Sequence, residues 1–104
     1  MGTGADGAKA REARAALEAE QETADLRSLL ADARFRRVAA RLFESLGLFE
    51  STYRYGARPH DLAFSAGLRG AAVRIYDRLM AADASLTQKA IQERTEEEMK
   101  WRRS

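Results

Sequence analysis

The most regular apolar pattern in the chain is Phe35, Val38, Ala39, Leu42, Phe43 and Leu46, with steps of 3, 1, 3, 1 and 3. At about 3.6 residues per turn these steps stay on one side of a helix, so the spacing predicts an amphipathic helix from residue 33 to residue 46. Asp32 precedes it as a candidate cap, and Gly47 follows where a left-handed C-terminal residue belongs. Asp25 is a candidate cap for a shorter helix carrying Leu26, Leu29 and Leu30. Leu48 and Phe49 are expected to fold back on the core. Residues 50–61, with Ser51, Thr52, Gly56, Arg58, Pro59 and His60, read as a loop. Asp61 is read as the cap of a long helix to about Ala82, and Ser85 with Gln88 as the capping box of a last helix. Neither strand-like alternation nor an internal repeat is visible. The expected fold class is all-α, a small helical bundle built on two long amphipathic helices with helical N- and C-terminal extensions.

The second long helix is apolar or small nearly all round. Phe64, Leu68, Ala72, Ile75 and Leu79 form one stripe, Leu62, Val73, Tyr76 and Met80 widen it, and Ala63, Ala66, Gly67 and Gly70 take much of the remainder. Such a helix is usually buried on several sides. So short a core is not expected to surround it, and another chain is expected to cover part of it. The two ends look different. Residues 8–24 are rich in Ala, Glu and Arg, and Leu17 is their only large apolar side chain. Lys9, Arg11 and Arg14 come early and Glu18, Glu20 and Glu22 late, against the helix dipole. The organisation read from this is a flexible or conditionally helical arm at 1–24, a helical core domain at 25–92 and a charged helical tail at 93–104. In the tail, Glu96 with Lys100 and Glu98 with Arg102 are favourable i,i+4 pairs.

Composition narrows the classes. The chain has 104 residues, 45% hydrophobic and 33% charged, with no Cys and one His. That suits one small globular domain and excludes disulfide or thiolate chemistry. No run approaches the ~20 apolar residues of a membrane-spanning helix, and no leader peptide is read at the start. The formal net charge is only +2, but 15 of the 18 basic residues are Arg, and residues 25–60 carry a net +3. Arginine favours forked contacts to carboxylates and phosphates.

Candidate chemistry is sparse. Gly2-Thr3-Gly4-Ala5-Asp6-Gly7 matches the G-x-G-x-x-G letters. The phosphate-binding version needs a preceding strand, which Met1 alone cannot supply. His60 beside Asp61 has no Ser, Cys or second His to complete a catalytic or metal-binding set, and an exposed histidine is the favoured reading. Glu96, Glu97 and Glu98 read as a solvated helical face. Arg34, Arg37 and Arg41 line one flank of the first long helix, with Arg36 on its other side. They can meet acidic groups on a protein, phosphates, or carboxylates within the chain. Ala63, Ala66, Gly67 and Gly70 allow a close helix approach, and with Val73, Tyr76 and Trp101 they are the candidate interface. Arg34, Arg36, Arg37, Arg41, Arg102 and Arg103 are the candidate charged contacts, since aromatic and Arg side chains anchor many interfaces.

The Arg36–Arg37 pair early in a helix, Leu46-Gly47-Leu48-Phe49 followed by Ser51 and Tyr53, and then Phe64, Gly67 and Arg69 before an apolar helix to Asp83 form a recognisable series. With it, residues 25–92 resemble a family of small helical proteins of tailed bacteriophages and prophages, first described from a Bordetella phage. Two positions depart from the family pattern. Ala33 stands where members often carry Pro, and Ala66 where they often carry an acid. The resemblance implies a structural or morphogenesis role and no established catalysis. The expectation is therefore a non-enzymatic virion or virion-assembly protein without cofactor or metal. It would be made in the bacterial host cytoplasm, be located in the virion, and act on other virion proteins and copies of itself. The alternative is a DNA-associated accessory factor in phage packaging or regulation.

Overall fold

The computed structural model of the chain describes residues 3–50 and 58–103. Within them lie four helices, α1 (Thr3–Leu30), α2 (Ala33–Ser45), α3 (Pro59–Ala82) and α4 (Ala84–Arg103), and no strand. The all-α class is as expected. Ser51, Thr52, Tyr53 and Gly56, part of the expected loop, lie outside the described residues.

α2 ends as its sequence indicates at both termini. The Asp32 carboxylate accepts the Arg34 amide at 2.8 Å, satisfying one of the donors that a helix start leaves unpaired. At the other end Gly47 has φ +77, and its amide donates to the Glu44 carbonyl at 3.1 Å. The Leu48 amide donates to the Phe43 carbonyl at 2.9 Å, which completes a Schellman turn. Leu48 and Phe43 then meet in the core, the apolar contact that usually accompanies this turn. Phe49 departs from expectation: it is 62% exposed, because the turn carries only Leu48 inward.

Three helix starts differ from the sequence reading. α1 is one helix through Asp25, since Ala, Glu, Gln and Leu around it all favour continuation and nothing interrupts the backbone. Its first turn includes Gly4 and Asp6, so the helix starts at Thr3. α3 begins at Pro59, with Arg58 as its extended cap residue and Asp61 inside the first turn. Proline suits the first helical position because its missing N–H would be unpaired there anyway. α4 is capped by Asp83, not by Ser85: the Asp83 Oδ1 accepts the Leu86 amide at 2.9 Å. A single extended residue therefore separates α3 from α4.

The two helix junctions share one construction. Ala31-Asp32-Ala33 and Ala82-Asp83-Ala84 each place the capping Asp between alanines, and Arg27 and Arg78 stand five residues before the respective Asp. The Arg27 Nε donates to the Ala82 carbonyl at 2.6 Å and Arg78 reaches Glu22 at 3.3 Å, so α1 and α3 run parallel with their junctions side by side. Around that point Leu30, Ala39, Phe43, Leu48, Ala72 and Leu79 form the buried core, with Leu26, Phe35, Leu46, Val73, Tyr76 and Leu86 packed against it. The Phe43 and Tyr76 rings meet edge to face, 5.9 Å between centroids. The core occupies only part of the molecule. The radius of gyration is 18.8 Å, against about 13 Å for a compact chain of ~100 residues. The extents of 69 × 39 × 16 Å describe a thin, elongated slab.

Gly47 and Gly70 have opposite stability consequences. Gly47→Ala forces a left-handed L-residue and is expected to cost about 1 kcal/mol. Gly70→Ala, in mid-helix with nothing within 4 Å of the added carbon, is expected to add up to about 1 kcal/mol. Urea unfolding of the two variants against the parent measures both signs.

Candidate interaction surface

The arginines of α2 are largely used within the molecule. Arg36 is 7% exposed: its Nη1 donates to the Leu30 carbonyl and its Nε to Glu93, each at 2.7 Å. One guanidinium thus ties the end of α1 and the middle of α4 to α2. Arg41 reaches Glu97 at 3.3 Å. From α4, Arg94 donates to Glu44 at 2.7 Å, with Glu97 and Glu98 at 3.6 and 3.5 Å. These links make the α2–α4 seam electrostatic along its outer edge, with Ala39, Ala40, Thr87 and Ala90 buried beneath. Arg34 turns back on its own cap, Nη2 to Asp32 Oδ2 at 2.8 Å. Arg37 is exposed.

The ion pairs shift the carboxyl groups they hold. The Arg34 side chain, then its amide, lowers Asp32 from 3.8 to about 2, and Asp32 in turn raises Arg34. The Arg94 side chain lowers Glu44, and Glu44 raises Arg94. His60 and Asp61 are a solvent-exposed pair, Nε2 to Oδ1 at 3.0 Å, on the first turn of α3. Among the described residues no group of three or more His, Cys, Asp or Glu is arranged to hold a metal ion. No helix there is long and apolar enough to cross a membrane.

The candidate interface residues divide between the two sides of α3. Tyr76 and Val73 face inward and are half-buried against the core. Ala63, Ala66, Gly67 and Gly70 are exposed, and neither glycine has another group within 4 Å of where a Cβ would stand. Gly67, Gly70, Ala71, Arg74, Ile75 and Arg78 line a shallow depression of about 540 Å³ on the outer face. Phe64, on the same side of the helix, is 68% exposed and Ile75 is 47% exposed. Phe64 and Ile75 share their sequence stripe with Ala72 and Leu79, which are buried, so the stripe splits between the two sides of the helix. The spacing of the lining residues marks the face: from Gly67 to Arg78 the steps are again 3, 1, 3, 1 and 3.

At the far end of α4, Trp101 is 75% exposed, and Arg102 and Arg103 are exposed beside it. A second, smaller groove of about 270 Å³ lies between α2 and α4, lined by Ala40, Glu44, Phe49, Ile91, Arg94, Thr95 and Glu98. Compared with protein-family models, with curated proteins and with solved structures, the chain gives no match.

The lowered carboxyl at Asp32 has a pH signature. Because its folded value lies below its ordinary value, ionised Asp32 stabilises the fold above pH ~4, and this contribution is lost as the pH falls towards ~2. Glu44 acts in the same direction. Asp32→Asn keeps a capping side chain but cannot titrate, so its urea midpoint is expected to fall less than the parent's across that window. In the same assay at neutral pH, Arg36→Ala strands the Leu30 carbonyl, and an expected loss of about 2 kcal/mol follows from the buried unpaired acceptor.

Proposed function

We propose that this chain is a non-enzymatic bacteriophage virion or virion-assembly protein that works through helical protein–protein contacts. The observation that carries the contact reading is the outer face of α3, where Phe64 and Ile75 remain exposed beside Gly67 and Gly70. Covering a large apolar side chain is worth about 1.5–3 kcal/mol, and exposed apolar patches framed by polar groups mark interaction sites. The glycines let a partner helix come close, and Arg74 gives the face a positive charge that an acidic partner can match, Arg78 being paired with Glu22. The phage assignment rests on the sequence resemblance of residues 25–92. The protein-contact reading is preferred to DNA binding because Arg34, Arg36 and Arg41 are engaged by Asp32, Glu93 and Glu97. Of these Arg36 is buried between the Leu30 carbonyl and Glu93, and turning it to a phosphate would strand both partners.

Particles purified from a phage-producing culture by density gradient test the reading. The parent chain is expected to band with the particles. A Gly67→Leu, Gly70→Leu double variant, unchanged in helicity because both sites are open, is expected at no more than a tenth of the parent's level. A parent chain found only in the particle-free fraction overturns the virion assignment, and an unaffected double variant removes the α3 face from it.

A further inference from the structure

α1 is a 28-residue helix of which only the last turns pack on the rest of the chain. Every residue from 9 to 22 is exposed, and Leu17 is 66% exposed. A lone helix of that length is marginal in water. At its ends Asp6 in the first turn and Arg27 in the last suit the dipole, so what the exposed length lacks is a packing partner. We propose that α1 pairs antiparallel with α1 of a second copy of this chain, forming a closed two-fold dimer centred near Leu17.

The placement of charge around the helix selects this partner and this direction. At about 100° per residue, Ala10, Ala13, Leu17 and Ala24 share one side of α1, opposite the side that Leu26 and Leu30 turn to the core. Arg11, Arg14, Glu18 and Asp25 border that strip on one flank, and Lys9 and Glu20 on the other. Around the centre of the strip each flank is thus basic over residues 9–14 and acidic over residues 18–25, with Glu12 beyond Lys9 on the second flank and Asp6 at the N-terminal end of the strip. A two-fold axis across the strip brings like flanks together head to tail. Arg11 and Arg14 then lie along the copy's Glu18 and Asp25, and Lys9 along its Glu20. The two dipoles oppose, and Leu17 is covered. A parallel pairing instead sets acid beside acid over the whole C-terminal half. Within one chain Arg14 holds Glu18 at 2.9 Å, with the two side chains 83% and 64% exposed. So exposed a pair contributes little and is readily exchanged for one across the dimer. Glu22 faces away from the strip and is retained by Arg78.

Sedimentation equilibrium of the full chain over a wide concentration range tests the proposal. The parent is expected to pass from monomer to dimer mass, with the dimer weakened by added salt. A Lys9→Glu, Arg11→Glu, Arg14→Glu variant and a Glu18→Lys, Glu20→Lys, Asp25→Lys variant are each expected to dissociate at least tenfold more readily alone. An equimolar mixture of the two is expected to regain dimer mass, which loss of folding in either could not produce. Gly67→Leu with Gly70→Leu is expected to leave the dimer intact, which separates this contact from the α3 face. A parent that stays monomeric, a mixture that fails to associate, or charge-reversed variants that dimerise alone as well as the parent would each overturn it.

Discussion

The Arg36 guanidinium is the point on which the arrangement of helices depends. It is buried where α1 ends, beside the start of α2 and the middle of α4, and it donates to the Leu30 carbonyl and to Glu93. A helix C-terminus leaves carbonyls without partners, and one of these is buried here beside the core. A buried cation is tolerated only when its donors are matched. The two needs answer each other, which fixes the angle at which α1 leaves the core and the register of α4 along α2. The apolar cluster around Phe43 is small, built largely from Leu and Ala, and would leave that register poorly specified by packing alone.

The thin shape follows from the same economy. Two helix pairs meet at adjoining junctions, and only the region near those junctions has helices on more than one side. Farther out, α1, α3 and α4 run on with much of their circumference exposed. α3 is apolar enough to be enclosed, yet Ala72, Leu79 and Ala82 are its buried residues. The surplus apolar surface falls on the face that begins at Phe64, while α1 projects almost without apolar surface and is governed by charge. Two unlike contact surfaces therefore coexist on one short chain.

Much of this was legible in the residues, and the exceptions have physical causes. α2, both its caps and Leu48 could be read because hydrophobic periodicity, an Asp and a Gly all pointed to the same boundaries. The start of α4 was displaced because Ser85 and Asp83 are both good caps, and only the chain's reversal at residue 83 decides between them. Arg36 was read as a surface charge although it lies four residues before Ala40 and seven before Phe43, squarely on the inward side. Residue type outweighed position, and position was the better guide. Tyr76, a candidate interface residue, packs on Phe43, while its neighbour Ile75 faces out. On a helix apolar all round, periodicity says nothing about which side is inward, and the choice comes from where α2 lies.

The adjoining junctions also have a mechanical meaning. α1 spans roughly 42 Å at 1.5 Å per residue, and near its anchored end Arg27 and Glu22 fasten it to α3 through the Ala82 carbonyl and Arg78. A load on the distal tip acts through a long lever on a short fulcrum. That fulcrum adjoins residue 83, whose carbonyl and carboxylate are held by Thr87 and Leu86, so the arm's attachment and the α3–α4 turn share one braced point.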